Sequence, residues 1–180
     1  MLRKLVPATL LVLAATAAVA AADHVPGHPC SNCASHKEWP TINGRFRKAN
    51  AGARHFRGSR RSDELLGHHG SDTLHGKGAS DVLWGDWQGG GSQPTGQHDR
   101  IHGGGGNDFI YGSHGFNTIF GGAGNDAISV HFGRGLLDCG PGRDVYHVTR
   151  KRRHRWIIRN CEKVDYRAEA ERGGGLKPLP

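Results

Sequence analysis

A nine-residue repeat constrains this 180-residue chain more than any other feature. Residues 103–111 and 121–129 read GGGGNDFIY and GGAGNDAIS, and both fit the pattern G-G-x-G-x-D-x-U-x, where U is large and apolar. A six-residue turn followed by a three-residue strand points only the middle strand residue inward, so each unit predicts half a coil of a narrow solenoid. Position eight supports this spacing throughout, with Leu65, Leu74, Leu83, Ile110, Ile119, Ile128, Leu137 and Tyr146.

The stretch 85–102 interrupts the ladder and holds eighteen residues. We interpret it as one unit with a nine-residue insertion at about 85–96, which leaves Asp99 at position six and Ile101 at position eight. Counting it as two units would put Gly90 and Ser92 at those positions. With one unit, alternate turns form two edges. The first edge carries Asp63, Asp81, Asp108, Asp126 and Asp144, and the second carries Asp72, Asp99, Asn117 and Gly135.

This repeat resembles that of hemolysin-type (RTX-like) calcium-binding proteins. The resemblance implies an all-β parallel β-roll, or β-solenoid, of nine-residue half-coils with short terminal caps. It also implies Ca²⁺ between successive turns of one edge, with position-six aspartates as ligands. Carried onto this sequence, the metal residues are Gly103, Gly105, Asp108, Gly121, Ala123, Asp126, Asp144, Asp81 and Asp63. The Asp63 turn fits least well, because Ser59-Arg60-Arg61 occupies positions where glycines belong.

The physical reason for an ion is the spacing of the acidic side chains. Coils stack about 4.8 Å apart, and carboxylates that close repel one another. Ca²⁺ cancels this repulsion, since it accepts six to eight oxygen ligands and tolerates irregular geometry better than Mg²⁺ does. The alternative is a metal-free solenoid in which each aspartate caps its turn by accepting backbone hydrogen bonds.

The N-terminus predicts export. Met1-Leu2-Arg3-Lys4 precedes an apolar run to Ala22, which is typical of a cleaved signal peptide over residues 1–22; a retained anchor is the alternative. We expect no membrane span in the mature, secreted protein. Residues 23–40 are predicted to be a flexible segment with Cys30 and Cys33, residues 41–166 the β-roll with its caps and repeats 58–147, and residues 167–180 a disordered tail.

Cysteines and charge add further expectations. Four cysteines allow three disulfide pairings, and Cys139–Cys161 is favoured because it joins the last repeat to the segment that closes the solenoid. Zinc binding by residues 28–36 or by the histidine-rich second edge is a weaker alternative. The net charge is +8, and residues 150–155 read RKRRHR. The alternative function is therefore a metal-independent basic scaffold that binds cell-surface polyanions.

Enzyme and nucleic-acid functions find no support in the sequence. The motifs of serine hydrolases, zinc metalloproteases and phosphate-binding loops are absent, and a narrow solenoid offers no deep cleft. We therefore predict a non-enzymatic protein without specific nucleic-acid binding, whose oligomeric state the sequence leaves open. The open coil ends need caps, for which Phe46, Phe56 and the segment 156–164 are candidates.

Overall fold

The structure, a computed structural model, describes residues 39–50, 52–87 and 94–167. Thirteen short strands form within these ranges, joined by tight turns. In chain order they are β1 (Phe46–Lys48), β2 (His55–Arg57), β3 (Glu64–Leu66), β4 (Thr73–Gly78), β5 (Val82–Trp84), β6 (His98–Gly105), β7 (Phe109–Tyr111), β8 (Phe116–Ala123), β9 (Ala127–Ser129), β10 (Arg134–Asp138), β11 (Val145–His147), β12 (Trp156–Arg159) and β13 (Lys163–Asp165).

The strands alternate between two parallel sheets, which confirms the β-solenoid. The first sheet holds the seven odd-numbered strands and the second holds the six even-numbered strands, each in chain order across the sheet. Every pairing between neighbouring strands is parallel, from β1 with β3 to β11 with β13. Helical structure in the described ranges is limited to one 3₁₀ turn at Arg153–Arg155, and no helix there could span a membrane.

A single column of large side chains fills the interior, as the position-eight pattern predicts. Strand registers stack Leu83 on Ile110 and Ile110 on Ile128 in the first sheet, and Ile101 on Ile119 in the second. Each of these residues is fully buried. The same cluster contains Leu65, Leu74, Leu137 and Tyr146. Stacking therefore lets one side chain per half-coil exclude water along the whole solenoid.

The strand register shows how the irregular stretch is accommodated. Leu74 pairs with Ile101 across the second sheet, and Leu83 pairs with Ile110 across the first. Both steps span 27 residues, as do the hydrogen bonds that join these coils, whereas later coils repeat every 18 residues. One half-coil therefore absorbs nine additional residues, and the two edges keep the partition that the one-unit interpretation predicts.

The two ends of the core are closed differently. At the N-terminal end Phe56 packs against the core and pairs with Leu74, as expected, but Phe46 is 42% exposed. Arg47, not Phe46, pairs with Leu65 and so follows the core column, which turns the phenylalanine to the outside. At the C-terminal end Trp156 is buried against the core, together with the partly buried Ile158 and Val164.

The predicted Cys139–Cys161 disulfide is present. It links the turn after β10 to the turn after β12, so the covalent bond ties the last full coil to the strand that closes the second sheet. A cross-link between neighbouring coils removes conformational freedom from the unfolded chain and stabilises the closed end. Cys30 and Cys33, together with the predicted signal peptide, lie outside the described residues.

A second apolar cluster covers the outer face of the first sheet, and the repeat pattern alone does not predict it. Val82, Phe109, Tyr111, Ala127 and Val145 are buried there. Trp39, from the segment predicted to be flexible, packs against this cluster and donates a hydrogen bond from Nε1 to the Tyr111 hydroxyl at 3.1 Å. The available signal is that strands such as FIY and VLW are apolar at all three positions, a composition typical of strands buried on both faces.

Repeat positions two and four adopt the left-handed backbone region. Gly104 and Gly106 have φ of 117° and 114°, and these values suit glycine. One coil earlier on the same edge, Lys77 and Ala79 occupy the same positions with φ of 86° and 68°. Stacking against the next coil therefore holds two residues with a Cβ in a conformation that costs each about 1–2 kcal/mol.

We predict that Ala79→Gly stabilises the protein. Removing the Cβ relieves the strain, and after the extra backbone entropy of glycine in the unfolded chain the free energy of unfolding should rise by about 0.5–1 kcal/mol. Urea unfolding at fixed calcium concentration measures this change. Ala123→Gly is the matched control, because Ala123 is at position three with an ordinary φ and should lose about 0.5–1 kcal/mol. Equal destabilisation by both changes would contradict the strain at Ala79.

Candidate metal centre

The first-edge aspartates form one continuous hydrogen-bonded file. The backbone N–H of Asp81 donates to Oδ1 of Asp108 at 2.8 Å, and that of Asp108 donates to Oδ1 of Asp126 at 2.8 Å. Asp126 donates in the same way to Asp144 at 2.7 Å, and Asp63 donates to Asp81 at 2.7 Å. All five side chains are fully buried. The aspartates therefore lie on one edge, each in contact with the next coil.

The other oxygen of four of these carboxylates has no hydrogen-bond donor. Oδ2 of Asp81, Asp108, Asp126 and Asp144 is buried and unpaired. A buried carboxylate oxygen without a donor costs substantial free energy, because water is no longer available to solvate it. Four such atoms in successive coils of one edge indicate that a further partner, a proton or a cation, belongs beside each of them.

Glycine at position one makes room on this side of three of the four carboxylates, whereas Cys139 takes that position before Asp144. A Cβ added at Gly103 would overlap Oδ2 of Asp108 and the backbone carbonyl oxygen of Gly121. A Cβ at Gly76 would likewise overlap Oδ2 of Asp81 and the Gly103 carbonyl oxygen. The unpaired carboxylate oxygen and a carbonyl oxygen of the next coil thus converge beside position one. Gly103 and Gly121 are needed for that close approach.

Gly105 and Ala123 are the two residues at repeat position three that the sequence predicts to bind metal. They lie side by side in neighbouring coils. They pair across β6 and β8, and the Ala123 carbonyl accepts a hydrogen bond from the Gly106 N–H at 2.8 Å. Their carbonyls are backbone oxygens at the same edge as Asp108 and Asp126. The described residues contain no group of three His, Cys, Asp or Glu side chains arranged to hold a metal ion. Any ion on this edge must therefore take several of its ligands from backbone carbonyls.

Burial changes the ionisation of the file in the absence of metal. Desolvation raises the pKa of Asp108 to about 8, with the neighbouring Asp126 and Asp81 charges adding to the effect. Desolvation is also the main cause at Asp81 and Asp126, where it raises the pKa to about 7, and at Asp144, where it raises the pKa to about 6. Without a cation, Asp108 is protonated at neutral pH, Asp81 and Asp126 are partly protonated, and Asp144 ionises at a lower pH.

The two ends of the file differ from its middle. Asp63 has donors on both oxygens, from the Ser59 N–H and hydroxyl and from the Arg45 N–H. Ser59 thus donates hydrogen bonds to Oδ2 of Asp63, the oxygen that has no donor in the later carboxylates. At the other end Glu162 accepts the Asp144 N–H through Oε2 at 2.7 Å, and so extends the file by one coil. Its position 18 residues after Asp144 is the signal that repeat counting could have used.

The second edge has the same arrangement of stacked aspartates, but there the carboxylate oxygens of Asp72 and Asp99 all accept hydrogen bonds. Asp72 accepts from the backbone N–H groups of Arg54 and His68 on separate oxygens, and its own N–H donates to Asp99. The second Asp99 oxygen accepts from the Ser113 hydroxyl, which also bonds Asn117. The carboxylates of Asp72 and Asp99 thus lack the unpaired oxygens that mark the first edge.

The residues of the first edge fit calcium. The donor set consists of carboxylate and carbonyl oxygens without nitrogen or sulfur, which is the chemistry that Ca²⁺ prefers, and Ca²⁺ accepts irregular arrangements of six to eight such ligands. A divalent cation would replace the proton at each unpaired Oδ2 and would neutralise successive carboxylates. An unpaired, buried Oδ2 that such a cation could bind is present in Asp81, Asp108, Asp126 and Asp144. In Asp63 both carboxylate oxygens already accept hydrogen bonds.

Comparison with known proteins gives one match. The family model described as the RTX calcium-binding nonapeptide repeat (4 copies) matches residues 55–88, 95–128 and 102–136. No curated protein matches the chain. No solved structure matches it. The matched residues include most of the first-edge file, from Asp63 to Asp126.

We predict that the calcium-free protein loses stability as the pH rises. The folded aspartates have pKa values of about 6 to 8, whereas unfolded ones titrate near 3.9, so between about pH 4 and pH 8 the folded state binds more protons. The stability that these bound protons contribute is fully present below about pH 4. It is lost as the pH rises through the pKa values of the folded state. The thermal midpoint in calcium-free buffer should therefore fall from pH 5 to pH 8.

Two controls accompany this pH series. Asp126→Asn removes one titrating group and should make the decline shallower, and saturating calcium should offset the decline, because the ion binds the ionised carboxylates. A calcium-free midpoint that rises between pH 5 and pH 8 would show that the file does not hold protons in the folded state.

Proposed function

We propose that this chain, whose residues 55–136 carry RTX calcium-binding nonapeptide repeats, is a secreted protein that binds Ca²⁺ along the first edge of its β-solenoid. The ions lie between successive turns and order the solenoid by neutralising the file of carboxylates. Residues 1–22 direct export as a signal peptide, so the protein meets calcium outside the cell. Extracellular modules bind Ca²⁺ with Kd of about 10⁻⁴–10⁻³ M.

The observation that carries this proposal is the difference between the two edges. Both edges carry stacked aspartates on the same scaffold, but only on the first edge does a series of carboxylates retain an unpaired, buried oxygen within the described residues. Hydrogen bonds replace an ion on the second edge, through Ser113 for example. An aspartate that only caps its turn would be satisfied as Asp72 is, with a backbone donor on each oxygen.

Specific residues hold each ion in the proposal. Asp108 and Asp126 form the central site with carbonyl oxygens from Gly103, Gly105, Gly121 and Ala123. Asp126 with Asp144 forms a second site and Asp81 with Asp108 a third, and Asp63 is the weakest member of the set. Glu162 closes the file, since it faces the turn at Gly140, Pro141 and Gly142 across an open groove of about 340 Å³. When bound, Ca²⁺ supplies positive charge at the carboxylate file.

The proposed role is structural and ion-binding rather than enzymatic, because the repeat is a calcium-binding structural unit. The domain plan follows from it: residues 41–166 form the ordered roll, residues 23–40 connect it to the signal peptide, and residues 167–180 form a tail. The disulfide between Cys139 and Cys161 suits export, since such bonds persist in oxidising compartments.

The polyanion-binding alternative gains less from the structure. Three side chains of the basic run contact rings of the protein itself: Arg150 lies over Tyr166, Arg152 over Phe132, and Arg153 over Tyr146 with a hydrogen bond to its hydroxyl. These contacts give the arginines a role in packing the C-terminal end. Binding to cell-surface polyanions stays a prediction, and a heparin retention assay with Arg152→Ala tests it separately.

We predict that calcium both binds and orders the protein. Circular dichroism should show β-structure increasing with added Ca²⁺ and decreasing with chelator, and calorimetry should record saturable binding in the 10⁻⁴–10⁻³ M range. Mg²⁺ at the same concentration should have a smaller effect, because its octahedral geometry fits this edge less well. An unchanged spectrum together with no heat of binding would refute the proposal.

We predict that Asp126→Asn weakens calcium binding about tenfold or more, because Asp126 belongs to two proposed sites and the amide removes a charged ligand. The matched control is Asp72→Asn, a buried aspartate at the same repeat position on the second edge, which should leave the affinity within about twofold. Calorimetric titration of both variants decides the comparison. An equal loss from both would place the ions on both edges or indicate a general loss of folding, and the calcium-free spectra distinguish these two causes.

A further inference from the structure

A second cluster of metal-ligating side chains lies on the opposite edge, apart from the aspartate file. It consists of His69, Asp86 and His114, and we call it the His69–Asp86–His114 cluster. The turns that carry these residues lead into β4, β6 and β8, which are neighbours in the second sheet. Asp86 lies at the start of the insertion. His69 and His114 each occupy position three of a repeat unit, in the turns on either side of it.

Asp86 presents one unpaired carboxylate oxygen to this cluster. Its side chain is only 4% exposed. Oδ2 accepts hydrogen bonds from the Gln97 side-chain amide and from the His114 backbone N–H, the latter at 3.3 Å, whereas Oδ1 is buried and has no donor. The two bonds to Oδ2 fix the orientation of the carboxylate, so Oδ1 is held toward the histidine of the preceding turn.

His69 presents an unpaired nitrogen to the same point. Its Nδ1 atom is buried without a hydrogen-bond partner and lies 3.8 Å from Oδ1 of Asp86. The His114 Nδ1 atom lies 4.0 Å from Oδ2. Both imidazole side chains keep about a quarter to a third of their surface exposed, at 30% and 27%, so solvent and ions reach the cluster.

The distance between His69 and Asp86 is too long for a direct hydrogen bond and leaves room for an ion. A charge-assisted hydrogen bond between a protonated His69 and Asp86 would need about 2.7–2.9 Å between the two atoms, and the observed 3.8 Å is too long for it. Zn²⁺ binds imidazole nitrogen at about 2.0–2.1 Å and carboxylate oxygen at about 2.0–2.2 Å. The gap of 3.8 Å is slightly less than the sum of two such bonds, so an ion fits between Nδ1 and Oδ1.

We propose that the His69–Asp86–His114 cluster binds a divalent transition-metal ion of the Zn²⁺ class, independently of calcium. Asp86 Oδ1 and His69 Nδ1 are the first two ligands. No three such side chains in the described ranges already surround one point. His114 faces the other Asp86 oxygen and stacks on Phe132 with ring centroids 4.5 Å apart, so it becomes the third ligand only when its ring turns away from Phe132, and water takes the open position. Imidazole nitrogen selects zinc-like ions, whereas an all-oxygen set selects calcium, so the two edges bind different metals.

Cobalt and zinc titrations at saturating calcium test this site. The full chain carries Cys30→Ser and Cys33→Ser, which removes the cysteines near the N-terminus as competing ligands. We expect Co²⁺ to produce the visible absorption of a low-symmetry nitrogen and oxygen site, and Zn²⁺ to displace it stoichiometrically. His69→Gln, Asp86→Asn and His114→Gln should each weaken Zn²⁺ binding about tenfold or more.

The matched controls are His75→Gln and His102→Gln. These two imidazoles stack with ring centroids 4.5 Å apart on the second sheet, away from Asp86, and their loss should leave Zn²⁺ affinity unchanged. Protection from diethylpyrocarbonate, mapped by mass spectrometry without any histidine substitution, gives a second measurement: Zn²⁺ should protect His69 and His114 more than His75 and His102. Absence of Zn²⁺ binding, or equal losses in the control variants, would overturn the proposal. Loss of calcium binding alone would leave it intact.

Discussion

The structure depends on one contact repeated from coil to coil: a backbone N–H of one aspartate donating to the carboxylate of the next. This contact joins coils whose spacing the parallel strands fix, and it holds each side chain out of water. Because Oδ1 is used by the neighbouring coil, only Oδ2 remains for a cation, as at Asp108 and Asp126. Packing and ion binding are therefore two aspects of the same geometry. A buried carboxylate so arranged has to be protonated or bound to a cation.

The two edges show how a common backbone supports different chemistry. On the first edge the second oxygen of the carboxylate has no donor, and the neighbouring groups are carbonyl oxygens. On the second edge Ser113 donates a hydroxyl to Asp99, and histidines at position three surround Asp86. Substituting a few turn residues changes the available ligands from oxygen to nitrogen without altering strand pairing. The solenoid thus separates the residues that determine the fold from those that select the ion.

Much of this arrangement could be predicted from the sequence, because period and register are local. The position-eight column follows from counting residues, and one nine-residue insertion keeps the aspartates on one edge. The disulfide is favoured because Cys161 lies in the segment that closes the solenoid. Other features depend on contacts across the fold. Counting does not place Trp39 over the outer face of the first sheet. The approach of Asp86 to His69 depends on the path of the inserted loop, which has no repeat to guide its prediction.

The hydrogen bonds along the file all point the same way, from each coil to the one that follows it. The N-terminal and C-terminal ends of the file are therefore not equivalent. Shortening it from the C-terminal side, past Glu162, would strip the Asp144 N–H of its acceptor and expose an amide that no coil remains to satisfy. Shortening it from the N-terminal side would remove from the file only the Arg45 donor, and Ser59 would still bind Asp63. Truncated forms should therefore tolerate loss of the first coil better than loss of the last.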